Sequence, residues 1–285
     1  MKIDDYIKDN ESLMITPKEF KGIVNKIRNL NDNLQDFSED YLTFSVASAY
    51  ASMGKKGCYL LQQILCENMM PPFSEENDYR IWFQARPIKG TSSPTLDLAF
   101  GNLDRPNGDI NKTQIVYVTN QNGIGQICFV EMKTWEDLDT SSTGNPKYNQ
   151  LAKYIRSALI FQKAGIFPKE VHVTLVTPRI FIKNPKSRFY GYKFIEYACP
   201  QINPENIMPD IPIRADRPPY IENEELDDNW IKCDKDGLIE RFPYLRLHWI
   251  PYENLLDNIP DTNPLKKYID QIRAANPIFE SPESK

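Results

Sequence analysis

The sequence predicts an α/β fold in which a central mixed β-sheet is flanked by helices. Helical patterns come first, a group of strand patterns follows, and a strand, a helix and another strand then stand in the order of a crossover unit. The 285 residues are enough for one domain with an appendage. We expect a helical segment, a core and an irregular C-terminal extension packed on the core, over 1–40, 41–200 and 201–285.

The first elements are two helical segments, over 17–31 and 41–68. In the first segment, apolar residues recur at helical spacing. Gly54 and Gly57 predict a break in the second segment because glycine weakens a helix.

Four strand patterns follow, rich in β-branched and aromatic residues and separated by Gly, Asn, Pro and Asp. They occupy 80–88, 95–102, 114–120 and 126–135. The NQNGIG sequence between the last two patterns predicts a hairpin turn. A helix over 146–164 is expected next, with Pro146 near its first turn and Gly165 after its end. A strand over 170–182 then completes the crossover unit.

The composition excludes several classes of protein. With 41% apolar, 12% aromatic and 26% charged residues, the chain has the composition of a folded globular protein. Its first residues lack the apolar segment of a secretory signal, and no stretch approaches the roughly 18 apolar residues of a membrane span. We therefore expect a soluble, cytoplasmic protein with no membrane partner. The five cysteines are widely spaced and include no C-x-x-C pair for zinc or redox chemistry.

Charge is distributed unevenly along the chain, although the net charge is only −5. Ten Lys and Arg stand against one acid in 147–193, whereas eight acids stand against two lysines in 222–240. The basic segment suits the neutralisation of nucleic-acid phosphates. Within it, 179–193 interleaves basic with aromatic residues, which also suits base stacking. A solvated basic strand and turn is the alternative interpretation.

Three charged residues in the strand patterns point to chemistry. Side chains alternate along a strand, so Glu131 and Lys133 lie on one face, and Asp97 lies opposite the apolar face of its own strand. Buried acids are costly unless they are compensated, and a divalent cation suits two carboxylates on neighbouring strands. A lysine beside that cation can orient a water and stabilise the charge on a phosphate under attack.

Asp97, followed by Glu131-Met132-Lys133 on a later strand and then by a helix, resembles the PD-(D/E)XK nuclease superfamily. This superfamily includes many restriction enzymes and the RecB and lambda-exonuclease groups. The resemblance covers roughly 40–185 and implies a restriction-endonuclease-like core. It also implies that Asp97, Glu131 and the main-chain carbonyl of Met132 bind Mg²⁺ or Mn²⁺, and that Lys133 is catalytic.

A second match lies on the helix that follows the E-x-K strand. Gln150 and Tyr154 are similar to the Q-x-x-x-Y motif of RecB-like and lambda-exonuclease-like nucleases, and their spacing places both on one helical face. The resemblance implies that they contact the active site or the nucleic-acid backbone. The basic residues expected to hold the substrate are Lys147, Lys153, Arg156, Arg179, Lys183, Lys186 and Arg188.

The chain departs from the family pattern at some positions. Leu96 stands where the motif has proline, and the interval between Asp97 and Glu131 is long, so Asp104 and Asp109 are alternatives to Asp97. Asp97 is preferred because it lies inside a strand pattern. Some relatives also carry a glutamate from an upstream helix. Glu67 is the first candidate for that place and Glu39 the second.

These patterns together predict a metal-dependent nuclease that hydrolyses phosphodiester bonds of DNA, of the restriction, defence or repair type. One alternative is a nucleic-acid-binding module that keeps the nuclease fold without catalysis. Another is a structural or protein-interaction protein in which Glu131 and Lys133 are merely a surface pair. The substrate strand form, endo or exo action and assembly as a homo-oligomer are left open by the sequence.

Overall fold

The predicted α/β class is confirmed by the computed structural model, which describes residues 12–29, 39–87, 94–118, 125–138, 149–163, 165–211 and 235–280. The helices in these ranges are α1 (Pro17–Asn29), α2 (Glu39–Ala51), α3 (Gly54–Leu65), α4 (Gln150–Ile160), α5 (Arg179–Lys183), α6 (Phe189–Ala198), α7 (Pro204–Ile207), α8 (Lys235–Arg241), α9 (Tyr252–Asp257) and α10 (Lys266–Ala275). The strands are β1 (Leu13–Met14), β2 (Ile81–Ala85), β3 (Leu96–Gly101), β4 (Leu103–Asp104), β5 (Val116–Tyr117), β6 (Gln126–Met132), β7 (Glu170–Thr177) and β8 (Leu245–Pro251).

Six of these strands form one mixed sheet in the order β1-β2-β3-β6-β7-β8. The pairs β2–β3 and β3–β6 are antiparallel, whereas β1–β2, β6–β7 and β7–β8 are parallel. The short strands β4 and β5 pair with each other in a separate sheet. Every residue of β6 is buried, as expected for a strand that is covered on both faces.

Helices cover both faces of the six-stranded sheet. On one face, Phe44 of α2 packs edge-on against Phe83 of β2, with ring centroids 5.5 Å apart. On the other face, Phe161, which follows α4, packs against Phe129 of β6 at 5.4 Å. None of the helices in the described ranges is long and apolar enough to cross a membrane.

The expected break in the second helical segment is confirmed, because α2 ends at Ala51 and α3 begins at Gly54. The expected strand over 170–182 is wrong in its second half. Strand β7 ends at Thr177, and Pro178, which has no N–H for a strand ladder, precedes the helix α5. The basic segment after it is therefore helical rather than a strand and turn.

The expected hairpin between 114–120 and 126–135 is also wrong. Strand β5 pairs with β4, and both edges of β6 are occupied by β3 and β7. Most of the NQNGIG sequence lies outside the described residues. Beyond residue 200, the segment assigned to an extension contributes β8, the strand at one edge of the main sheet.

Candidate functional site

The pairing of β3 with β6 brings Asp97 beside Glu131. Leu98 pairs with Val130 and Ala99 with Phe129, so the next position along each strand juxtaposes the two acids. The Asp97 Oδ2 atom also accepts a hydrogen bond of 2.7 Å from the main-chain N–H of Met132, which is 35 positions away in sequence. Neither of the alternatives takes this position: Asp104 accepts from its neighbour Arg105, and Asp109 from Asn111.

Lys133 lies just beyond the end of β6, between two carboxylates. Its Nζ atom is 2.8 Å from Glu131 Oε1 and 3.1 Å from Glu39 Oε1. Glu39 is the first residue of α2, and it also accepts a hydrogen bond of 2.7 Å from the main-chain N–H of Thr134. The structure therefore adds Glu39 to Asp97, Glu131 and Lys133, and we call these four residues the acidic cluster.

Glu67, the first candidate for the upstream glutamate, does not join the acidic cluster. Its carboxylate interacts with His248 Nδ1 at 2.9 Å. His248 is aligned with Thr174, which is aligned with Val130, so these side chains share one face of the sheet. Glu131, the next residue after Val130, points to the opposite face. The second candidate, Glu39, instead occupies the position beside Lys133.

Glu131 and Lys133 are the most buried members of the acidic cluster, whereas Glu39 and Asp97 are partly exposed. Glu131 has no exposed surface, and neither of its carboxylate oxygens accepts a well-aligned hydrogen bond from a described residue. Burial raises the pKa of Glu131. The Asp97 carboxyl lies among densely packed atoms although solvent reaches part of the residue. Burial raises its pKa well above the ordinary value, and the Glu131 carboxylate raises it further.

Burial alone would lower the pKa of Lys133, but the carboxylates of Glu131 and Glu39 more than offset this effect. The pKa of Lys133 is therefore raised above its ordinary value. It follows that the ammonium group keeps its proton at neutral pH and acts as a charged donor.

Tyr154 reaches the acidic cluster from α4, and Gln150 on the same helix contacts Tyr154. The Tyr154 hydroxyl is buried beside the Glu131 carboxylate, donates a hydrogen bond of 2.7 Å to the Thr95 carbonyl and interacts with the Gln150 side chain. The helix begins immediately after Asn149, whose side chain accepts a hydrogen bond from the N–H of Ala152. This cap positions the first turn of α4, which carries Gln150.

Gln84 on β2 adds local strain close to the acidic cluster. Its φ of 48° lies in the left-handed region, which non-glycine residues rarely adopt in a strand. Its flanking residues pair with Leu96 and Leu98, so Gln84 is next to Asp97. Its side chain donates to Asp40 in the first turn of α2, the turn that also contains Glu39. Strained backbone of this kind is often found at functional sites.

The basic residues expected to hold a substrate are only partly available for that role. Lys153 and Arg156 are partly exposed on α4, Lys186 is exposed, and Arg188 stacks over the ring of Phe181 at 4.8 Å from its centroid. Glu280 forms ion pairs with Arg179 and Lys183. Lys147 lies outside the described residues.

The acidic cluster has a donor set that fits a divalent cation bound with water and phosphate. Within the described ranges, no group of three or more His, Cys, Asp or Glu side chains is arranged as a complete metal site. Mg²⁺, however, is commonly held by one or two carboxylates together with waters and substrate phosphates. The Glu131 carboxylate, which accepts no well-aligned hydrogen bond from a described residue, and the adjacent Asp97 carboxyl meet that requirement.

Comparison of the chain with protein-family models, curated proteins and solved structures finds no match. No relative therefore supplies a function or a set of site residues for this chain. Any functional assignment depends on the geometry of the acidic cluster and on the motifs in the sequence.

Proposed function

We propose that this protein is a metal-dependent nuclease of the PD-(D/E)XK type that hydrolyses phosphodiester bonds in DNA. The observation that carries the proposal is the juxtaposition of the Asp97 and Glu131 carboxyls with the Lys133 ammonium, whose Nζ is 2.8 Å from Glu131 Oε1. The mixed sheet flanked by helices agrees at a coarse level with a restriction-endonuclease-like core.

Asp97 and Glu131 would hold Mg²⁺ or Mn²⁺, with the main-chain carbonyl of Met132 as a further ligand and Glu39 beside them. When bound, such a cation polarises a phosphate oxygen and lowers the pKa of a water molecule. The cation would also compensate the excess of buried negative charge, since three acids in the acidic cluster face a single lysine.

Lys133 would orient the attacking water and stabilise the negative charge that develops on the phosphate. Because its pKa is raised, it acts as a hydrogen-bond donor and not as a base that removes a proton. Tyr154 would hold the Glu131 carboxylate in place, and Lys153, Arg156, Lys186 and Arg188 would contact the DNA backbone.

The test is the cleavage of labelled linear and circular DNA in Mg²⁺, Mn²⁺ or EDTA. We expect Lys133→Ala to reduce cleavage by about 100- to 1000-fold, the usual effect of removing one donor to the transition state, while DNA binding persists. Lys55→Ala is the matched control, because Lys55 is exposed and donates to the Glu75 carbonyl away from the acidic cluster.

Cutting of the circular DNA would identify an endonuclease. DNA binding by wild-type protein without cleavage in any metal would contradict the nuclease proposal and favour the inactive binding module. Equal cleavage by wild type and Lys133→Ala would exclude the acidic cluster as the active site.

A further inference from the structure

Trp135 is an exposed tryptophan in the loop that follows β6, two residues after Lys133. Its side chain is 47% exposed. The other two tryptophans in the described ranges are packed: Trp82 is 2% exposed, and Trp249 packs edge-on against Tyr190 with ring centroids 6.1 Å apart. A single exposed hydrophobic ring is common on protein surfaces. The meaning of Trp135 therefore depends on where the fold places it.

The loop that carries Trp135 is anchored on both sides of this residue. On the N-terminal side, the main-chain N–H of Thr134 donates a hydrogen bond of 2.7 Å to Glu39 in the acidic cluster. On the C-terminal side, the Asp137 carboxylate accepts hydrogen bonds of 2.7 and 3.0 Å from the N–H groups of the first two residues of α6. These contacts hold the backbone around Trp135 in place, while its ring stays open to solvent.

This anchoring places Trp135 at the edge of the acidic cluster. Consecutive Cα atoms are about 3.8 Å apart, so the Cα atoms of Lys133 and Trp135 are separated by at most about 7.6 Å. A nucleotide whose phosphate lies at the acidic cluster therefore has its base within reach of the exposed indole. A tryptophan on a fixed backbone loses little conformational freedom on binding, because its side chain has two rotatable bonds.

We infer that Trp135 stacks on an unpaired base beside the phosphate held at the acidic cluster, and that the substrate is therefore single-stranded DNA. The inference rests on the proposed nuclease function and assigns its substrate class. The indole needs a free face of the base, and inside a duplex both faces of a base are covered by its stacked neighbours. Every base has a π-face, so this contact selects the strand form and not the sequence.

The experiment measures binding in Mg²⁺ by fluorescence anisotropy, with a labelled single strand and a blunt duplex of the same sequence. Asp97→Asn is the background, because it should leave the DNA uncut and its amide oxygen still accepts from the Met132 N–H. Adding Trp135→Ala should weaken single-strand binding by about 10- to 100-fold, the usual effect of losing a stacked base, and duplex binding by less than about threefold. Trp135→Phe keeps a ring and should lose less.

Tyr244→Ala is the matched control, because this aromatic side chain is 44% exposed at the opposite end of the sheet. It precedes Leu245, which is aligned through Val171 with Ile127 near the start of β6. We expect it to leave both affinities unchanged. A strand of abasic nucleotides separates base contacts from phosphate contacts. Trp135→Ala should not weaken binding of that strand, since it offers phosphates and no bases.

The outcomes separate this inference from the nuclease proposal. Equal single-strand affinity with and without Trp135→Ala would overturn the role of Trp135, and so would equal losses on the single strand and the duplex, or on the abasic strand. Cleavage of DNA by wild type would still support the nuclease proposal in each of these cases. If wild type does not cut and Trp135→Ala selectively weakens single-strand binding, the nuclease proposal fails and the stacking role stands. If no DNA binds, both fail.

Discussion

The two faces of the central sheet each carry a cluster of polar side chains, and the clusters differ in how their charges are compensated. On one face, the acidic cluster sets Glu39, Asp97 and Glu131 against Lys133 alone, and Glu131 has no well-aligned hydrogen bond within the described residues. On the other face, Glu67, His248 and His172 form a chain of hydrogen bonds, which we call the histidine chain.

The histidine chain has nearly complete hydrogen bonding. With the Glu67 carboxylate as acceptor, His248 Nδ1 carries a proton, and His248 Nε2 accepts from His172 Nδ1 at 2.9 Å. The two rings stack with centroids 5.1 Å apart. Burial lowers the pKa of both histidines, which keeps them neutral at pH 7. Within the described residues, His172 Nε2 is the nitrogen of the pair that has no hydrogen-bond partner.

The difference indicates where function resides. The histidine chain links two neutral rings to a half-exposed carboxylate. A hydrogen-bonded chain of this kind contributes to the stability and uniqueness of a fold. An excess of buried negative charge opposes stability and persists where a ligand or a reaction requires it. Substitutions in the acidic cluster should therefore lower activity and raise stability. Substitutions in the histidine chain should change stability alone.

The largest expected effect is that of Asp97→Asn. We expect cleavage to fall by at least about 1000-fold, while the free energy of unfolding at pH 7 rises by about 1 kcal/mol. The neutral amide removes a buried charge beside Glu131, and its oxygen still accepts from the Met132 N–H. Since the folded-state pKa of Asp97 is raised, the wild type loses stability as pH rises through that value, and the variant does not.

Urea unfolding at several pH values measures this effect. A lower stability of Asp97→Asn at pH 7 would mean that the charge of Asp97 is already compensated, and the contrast between the two clusters would disappear.

The second expected effect is a loss of stability on mild acidification. Burial lowers the pKa of His172 from 6.5 to about 3, so between these values the unfolded chain binds a proton that the folded chain does not. Stability therefore falls as pH is lowered, by about 2 kcal/mol between pH 6.5 and pH 5 for this one group. In His172→Gln this part of the loss should be absent. An unchanged pH profile of the free energy of unfolding in the variant would contradict a buried neutral His172.

The smallest expected effect is that of Glu67→Ala. Removal of the acceptor for His248 Nδ1 should lower the free energy of unfolding by about 1 kcal/mol, since water can partly replace this half-exposed carboxylate. Glu67→Gln keeps an acceptor oxygen and should lose less. Both variants should cut DNA like the wild type. Loss of metal-dependent cleavage in Glu67→Ala would place Glu67 in the active site after all.

Part of the candidate site could be predicted from the sequence, and part could not. Alternation along two strands and the positions of Asp97, Glu131 and Lys133 predicted an adjacent pair of acids and a lysine, and the register of β3 with β6 brings them together. The structure places Glu39, the second candidate, beside Lys133, and Glu67, the first candidate, beside His248. Sequence patterns could not separate the two, since both glutamates stand at or just beyond a helix end. Only the packing of α2 and α3 decides which end meets Lys133.

The sequence by itself determined the α/β class, the break between α2 and α3, and the alternation that separates Asp97 and Glu131 from apolar neighbours, because these features depend on residues close together in the chain. Tertiary structure alone decided the partners of β5 and β6, the ion pairs of Glu280 with Arg179 and Lys183, and the burial of the Tyr190 ring against Phe181 and Trp249. Each of these depends on contacts between distant segments, whose free energy depends on the packing of the whole sheet and its helices and not on any local pattern.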